Sequence, residues 1–446
     1  MSRGAMSLSA SDTSVVTINW NGRHHLETLL PSLIPLTPRE IIVVDNGSTD
    51  GSVRWLKREY PAVRVIANSH NRGFAEPNNI AAEAASGSVL AFINNDMRCH
   101  EDWLKAGLEE LEGAACAASR ILDWQGARID FNGSSIQYLG YALQKDIGRV
   151  LEEVTAGRRI LFPCGGAMFI RKDAFLKVGG FDADFFAVFE DVDLGWRLWL
   201  CGEEVRFSRN SVCYHRGHGT FRAHSTAKLR YLMHRNALLT IIKNYADAQL
   251  QTILPLAVVM ALKRAVRLSG VCRERFYLWA ESEMRAEAGD PTFHVDFEDA
   301  LNHLVAVDDV LGQLPALMEK RRQIQALRKR PDEEIIGLFG DPLRSIVEDP
   351  DYIEAEAGLL RGLGLDRLFD VDSYAESSGR FPSPAPERIR MLREELKQLQ
   401  WTATCAAQHP PLPKSGSRLR RFLDTWRSRG LATAVRRTWE ALRRED

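Results

Sequence analysis

The sequence predicts an α/β fold with a mostly parallel central sheet, followed by a C-terminal helical region. Two observations carry that expectation. From residue 15 to about residue 220, short β-branched runs alternate with segments of helical periodicity, the pattern of strands joined by crossover helices. After about residue 220 the strand signal fades, and mostly helical sequence continues to about residue 368.

In order along the chain, residues 15–19, 40–44, 63–67 and 89–93 read as strands, and residues 26–33, 52–59 and 78–85 as helices. The second helix is expected to open on Ser48-Thr49-Asp50 capping chemistry. In sheets of this kind ligands sit beyond the carboxyl ends of the strands. Those ends carry Asn19-Trp20-Asn21-Gly22, Asp45-Asn46-Gly47, Asn71-Arg72-Gly73 and Asn94-Asn95-Asp96, so four polar loops converge on one edge. Residues 205–214 read as a further strand running into Tyr214-His215-Arg216-Gly217-His218-Gly219, and residues 228–245 as an amphipathic helix.

The expected organisation is a flexible start (1–14), an α/β domain (15–245), a helical region (246–376), a Pro/Ser/Gly-rich linker (377–386) and a basic helical tail (387–446). Residues 414–444 interleave arginines with Leu419, Phe422, Trp426, Leu431 and Trp439. That composition suits an anionic membrane surface, and equally a solvated helix whose arginines pair with acids elsewhere. The helical region after Tyr245 carries no motif of its own; packing on the α/β domain, covering an acceptor and forming a homo-oligomer interface all remain open.

With 446 residues, 45% of them hydrophobic and 26% charged, the chain has material for a large core and more than one domain. A formal net charge of −1 argues against a surface devoted to nucleic acid. Seven cysteines, odd in number and scattered, show no paired metal spacing and fit a reducing cytoplasm. Residues 1–14 lack the apolar core of a signal peptide, and the longest apolar run, 253–262, is too short to span a bilayer, so a soluble or peripheral protein is expected.

The segment Phe186-Ala187-Val188-Phe189-Glu190-Asp191-Val192-Asp193-Leu194-Gly195-Trp196-Arg197 crowds three carboxylates into four positions of an apolar run. Neighbouring carboxylates in such a setting raise one another's pKa, which suits a residue that must take a proton. An acidic first turn of a helix explains the same residues, because Leu194, Leu198, Trp196 and Trp199 continue at helical spacing to a stop at Gly202. Alone, the segment leaves both readings open.

Six motifs in register narrow the choice. Residues 15–22, 41–52, Asn71-Arg72-Gly73-Phe74-Ala75, Phe92-Ile93-Asn94-Asn95-Asp96, Gly179-Gly180-Phe181-Asp182 and Phe189-Glu190-Asp191-Val192-Asp193 closely resemble the family 2 glycosyltransferases, and most closely the rhamnosyltransferase-like members. The likeness covers about residues 15–245. It implies a GT-A fold, a nucleotide-sugar donor, a divalent metal (manganese or magnesium) and inversion at the anomeric carbon.

By this resemblance Asp191 is the base that takes the acceptor's proton, with Glu190 beside it, while Asp193 and Trp196 orient the acceptor. Asp96 is the metal carboxylate. The family's Asp-x-Asp is here Asn94-Asn95-Asp96, so Asn94 is left to offer an amide oxygen or hold a water, and strict metal dependence is put in doubt. His215, favoured over His218, falls where members with a metal-binding histidine place it, with phosphate hydrogen bonding as the other option. Gly165 and Gly166 resemble the small residues that line the donor sugar, or else form a tight turn into a buried strand. Asp45 and Asn46 resemble the pair that contacts base and ribose. Asn19, Asn95 and Gly73 adjoin them, and Arg72 is a diphosphate contact because a guanidinium fork matches phosphate oxygens. Gly47, Ser48 and Asp50 read as turn and cap residues.

The leading functional expectation is therefore an inverting transferase moving a sugar, rhamnose from deoxythymidine-diphosphate rhamnose as first candidate, to a surface glycan or lipid-linked acceptor. The same motifs serve galactofuranosyl, glucosyl and N-acetylhexosaminyl donors. A nucleotidyltransferase would want a glycine-rich basic loop after the first strand, where this chain has a short Asn-rich turn. A catalytically silent sugar-nucleotide-binding scaffold is disfavoured by the intact Glu190-Asp191. The expected location is the cytoplasm, peripheral on the inner face of the membrane.

Overall fold

The computed structural model describes residues 7–144, 146–151, 158–217, 226–269, 297–347 and 349–369. The expected linker (377–386) and basic tail (387–446), and also His218, lie outside the described residues.

Strands β1 (Thr13–Asn19), β2 (Glu40–Asp45), β3 (Arg64–Ala67) and β4 (Val89–Ile93) form a parallel half-sheet in the order β3-β2-β1-β4. β1, β2 and β4 are almost wholly buried, which is why they read as continuous apolar runs rather than alternating ones. The crossovers carry α1 (Arg23–Leu33), α2 (Ser52–Glu59) and α3 (Ala75–Ala84), and α1 buries one stripe made of Leu26, Leu29, Leu30 and Leu33. The opening of α2 differs from expectation. Its N-cap is Gly51 in the left-handed region, Asp50 accepts the Ser52 N–H at 3.0 Å, and Ser48 turns back to β1.

The sheet then becomes mixed. After β5 (Met97–Cys99), β6 (Cys116–Asp123), β7 (Ile129–Phe131) and the hairpin of β8 (Ser134–Ile136) with β9 (Ala142–Gln144) come β10 (Ala167–Arg171) and β11 (Val205–His215). The order continues β4-β10-β6-β11-β5, with β10 antiparallel to both neighbours, β6 parallel to β11, and β5 antiparallel at the edge. Strand β6 was not legible because Ala117 and Ala118 give little β signal, yet both are fully buried.

Helices α4 (Trp103–Leu111), α5 (Lys172–Lys177) and α6 (Glu190–Leu200) complete the α/β part. Ten of the eleven residues of α6, all but Asp191, are buried, so α6 is a core helix whose first turn holds the acidic cluster. Gly195 lets it pack closely: a Cβ there would stand 2.4 Å from Phe162 Cβ.

The helical region comprises α7 (Thr226–Asn244), α8 (Asp247–Leu268), α9 (Phe297–Gly312), α10 (Leu314–Ala326), α11 (Asp332–Ile336), α12 (Pro350–Gly362) and α13 (Asp366–Phe369). Buried Arg321 of α10 donates to the Ile242 and Tyr245 carbonyls, each at 2.6 Å, satisfying acceptors at the end of α7 that the helix leaves open. Arg264 of α8 joins α12 to the β8–β9 hairpin by donating to Tyr352 at 2.6 Å and Tyr141 at 3.1 Å. By length and composition α8 qualifies as a membrane-crossing helix, which the ten-residue apolar run alone did not suggest. It nevertheless buries Leu250, Ile253, Leu256, Ala257, Met260 and Arg264, as a core helix does.

Candidate active site

The carboxyl edge of β1 and β2 is a polar network built from short side chains. Asn19 donates to Asp45 Oδ2 at 3.0 Å and accepts from Asn95 at 3.1 Å, so the ends of β1, β2 and β4 are tied side by side. Asp45 Oδ1 accepts the Ser48 N–H at 2.9 Å. Asn46 donates to Asn71 Oδ1 and to the Gly73 carbonyl, both at 2.8 Å, and accepts from the Arg72 N–H and from Asn68. Asn46 thus shapes the loop that presents Arg72. The guanidinium of Arg72 is steadied by Glu76 at 2.6 Å, while its Nε is buried without a partner. Asn19, Asp45, Asn46 and Asn95 are all buried.

A two-glycine seam joins this edge to the acidic helix. The Asn94 N–H donates to the Gly166 carbonyl at 2.9 Å, and the Gly165 N–H donates to Asp191 Oδ2 at 2.7 Å. A Cβ at Gly165 would lie 3.4 Å from Asp191 Oδ2, and one at Gly166 would lie 3.1 Å from Asn94 Nδ2. Small residues therefore line the gap between Asp191 and the Asn94-Asn95-Asp96 loop. Burial lifts the Asp191 carboxyl to about 6, against the backbone hydrogen bonds that favour its charge. Glu190 is pushed well above the usual carboxylate range by burial and then by the Asp191 charge, and its Oε2 has no partner.

The approach to α6 is strained. Phe186, Val188 and Phe189 all have positive φ (62°, 73° and 68°), a region that a β-branched residue such as Val188 rarely enters. Asn236 of α7, fully buried, overdetermines this loop by donating to the carbonyls of Phe185, Ala187 and Val188 at 3.1, 2.9 and 2.6 Å.

On the other side of the seam, Asp96 and His215 meet. His215 ends β11, which pairs with β5 so that His215 lies opposite Met97, next to Asp96. Its Nε2 is 3.2 Å from Asp96 Oδ2, and its Nδ1 is hydrogen-bonded to Asp130 of β7. Burial alone would lower the His215 pKa, but the Asp130 and Asp96 hydrogen bonds and charges raise it to about 10. The same contact overcomes burial at Asp96 and holds its carboxyl below the usual range. Asp96 Oδ1 is buried and without a partner.

The structure does not put Asp193 or Trp196 where an acceptor could touch them; both are fully buried. Asp193 is paired with Arg197 at 2.7 Å and Lys243 at 2.9 Å and accepts from Asn244, so its carboxylate is consumed in docking α6 on α7. Trp196 packs edge-on against Tyr245 and Phe339. An acidic residue at every second position reads as one cluster, but on a helix Asp191 and Asp193 point different ways.

Sequence reasoning missed Asp130 and Asn236, and it placed Asn71 on the polar edge without giving it a role of its own. The alternation Ile129-Asp130-Phe131 was a usable signal for the first, since Ile129 and Phe131 are buried and Asp130 is only half-buried. Asn236 sits in a helix fifty residues from its partners and gave none.

Residues 14–179 match the family model described as "Glycosyl transferase family 2", a stretch that holds Asp96, Gly165 and Gly166 and ends before Asp191 and His215. Among curated proteins, the chain is 28% identical over 241 residues to N-acetylglucosaminyl-diphospho-decaprenol L-rhamnosyltransferase of Mycobacterium tuberculosis, covering 47% of this chain and 77% of that protein. It is 24% identical over 159 residues to Glycosyltransferase AglE of Haloferax volcanii, covering 35% of this chain and 50% of that protein. Among solved structures, GalNAc-T7 with UDP, GalNAc and Mn2+ aligns with a TM-score of 0.42 and 18% identity, over 68% of this chain and 57% of that one.

Proposed function

We propose that this protein is an inverting glycosyltransferase that moves a sugar from a nucleotide-sugar donor to a hydroxyl of a surface glycan or lipid-linked acceptor, with deoxythymidine-diphosphate rhamnose as first donor candidate. The observation that carries the reading is the seam: a carboxylate with a pKa of about 6 held by Gly165, and the Asn94-Asn95-Asp96 loop held by Gly166, face one small-residue gap. The rhamnosyl donor rests on the mycobacterial relative, whose name specifies an L-rhamnosyltransferase.

In this reading the Asp45 and Asn46 network seats the nucleoside and Arg72 contacts the diphosphate. Asp191 takes the proton of the acceptor hydroxyl as it attacks the anomeric carbon on the face opposite the diphosphate. Asp96 and His215 fit a divalent cation: a carboxylate oxygen and an imidazole nitrogen adjoin each other, and Asp96 Oδ1 is a buried acceptor lacking a donor. Such a cation, when bound, neutralises charge on the departing nucleoside diphosphate.

A second version of leaving-group stabilisation uses no metal: His215, held by Asp130 on Nδ1, would turn an Nε2–H from Asp96 Oδ2 to a diphosphate oxygen as an imidazolium. Thermal-shift and donor-hydrolysis measurements across a panel of nucleotide sugars, with manganese, magnesium or excess chelator, separate the possibilities. The expected result is stabilisation and hydrolysis with one donor, lost in chelator and restored by either metal. Activity surviving chelation supports the imidazolium version; no donor effect under any condition overturns the transferase reading.

A further inference from the structure

We propose that Asp130 is the positioning carboxylate of the cation site, fixing His215 so that its Nε2 faces the cation held with Asp96. The inference rests on the proposed reading that Asp96 and His215 bind a divalent cation, and it assigns a role to a residue that no motif of the chain includes.

β7 pairs with β6 through Ile121 opposite Phe131 and Leu122 opposite Ile129, so one step along β6 corresponds to two along β7. Asp130 is the extra residue, a β-bulge, and a bulge re-aims the side chain it carries. β11 flanks β6 at the same level, with Tyr214 opposite Leu122 and His215 opposite Asp123. The two strands bring Asp130 to His215 Nδ1 while the Nε2 side of the ring faces Asp96 at 3.2 Å.

This is a linear arrangement of carboxylate, imidazole and carboxylate, and its two ends differ. Asp130 is 21% exposed and Asp96 is 6% exposed, with the buried Oδ1 of Asp96 left without a donor. The inner end therefore has unused ligating capacity, and the outer end only holds the ring. An imidazole has two chemically distinct nitrogens, and a hydrogen bond that fixes the proton on one leaves the lone pair of the other for a cation. Without Asp130, the ring loses the acceptor that keeps the proton on Nδ1, and a proton placed on Nε2 instead removes a ligand.

The test uses the full chain and manganese alone, with binding followed by water proton relaxation enhancement for wild type, Asp96→Ala, His215→Ala, Asp130→Ala, Asp130→Asn and the Asp130→Ala/His215→Ala double variant. Asp130→Ala is expected to weaken manganese binding about 10- to 100-fold, as loss of such an outer partner typically does. Asp130→Asn, which keeps an acceptor oxygen and guards against a folding defect in the alanine variant, should recover most of that loss. In the His215→Ala background the Asp130→Ala change should have no further effect, an outcome a merely structural role would not give. Wild-type affinity in Asp130→Ala, together with weak binding in Asp96→Ala, overturns the positioning role alone. Equal binding by wild type and Asp96→Ala, whether strong or absent, places no cation at Asp96 and overturns both this inference and the metal reading beneath it.

Discussion

The side-chain amide of Asn236 donates to the Val188 carbonyl over 2.6 Å, and with its bonds to Phe185 and Ala187 it holds the strained loop from which Asp191 emerges. Together with Arg235, which donates to the Asp184 and Phe185 carbonyls, this buried α7 side chain sets the starting geometry of α6.

Removing that clamp should separate activity from folding. Asn236→Ala leaves buried carbonyls without donors and should cost about 1–3 kcal/mol of stability. It should also lower kcat about 10- to 100-fold, the scale of loss for a displaced reacting group, with donor affinity changed less. Chemical denaturation and steady-state kinetics on the same variant check both parts.

Gly73→Ala should damage the neighbouring loop. Gly73 has a φ of +80°, which costs an L-residue about 1–2 kcal/mol. Its Cβ would also stand 2.3 Å from the Phe186 carbonyl, the acceptor for the Phe74 and Ala75 N–H groups. The expected outcome is a lower denaturation midpoint and weaker donor binding, read by urea unfolding and donor titration.

Glu356 supplies a pH signature outside the site. Burial pushes its carboxyl up to about 7, against hydrogen bonds from Tyr138 and Gln137 and the Arg264 charge. Because its folded pKa lies above the unfolded value, its protonated form favours the native state, and that contribution is lost as pH rises from about 4.5 through 7. Glu356→Gln keeps the acceptor oxygen and cannot ionise. It should raise stability at pH 8 by about 1–3 kcal/mol and change little at pH 4.5, as unfolding at the two pH values will show.

The basic tail at 414–444 is expected to dock the protein on an anionic membrane face, each basic residue contributing on the order of 1 kcal/mol. Sedimentation with vesicles should show salt-sensitive binding to anionic lipid by the full chain and its loss in a chain ending at Pro413. Binding unaffected by truncation would leave the tail as a packing element.

The parallel half-sheet was legible because β1, β2 and β4 are buried on both faces and read as unbroken apolar runs, and the loops at its edge were legible because short polar residues cluster there. Asp191, Asp96 and His215 were named from residue chemistry and the resemblance, and the fold brings the polar edge, Gly165, Gly166 and these three residues around one seam. What stayed hidden depends on pairing across the chain. Asp193 looked like a second acid of the site until Lys243, fifty residues on, proved to be its partner. Asp130 acts through a bulge that only the register of β6 and β7 reveals. The weak strand signal of β6, with its buried alanines, hid the mixed half of the sheet for the same reason: tertiary burial rather than local propensity makes it a strand.

The central claim is that Asp191 takes the acceptor's proton, and sugar transfer by Asp191→Asn measured beside donor binding tests it most directly. The amide retains an oxygen for the Gly165 N–H but cannot accept a proton. Transfer by Asp191→Asn is expected to fall by roughly 100-fold or more with donor affinity within about threefold of wild type, and wild-type kcat/KM is expected to rise with pH through about 6. Near-normal transfer by Asp191→Asn with the donor still bound would contradict the claim.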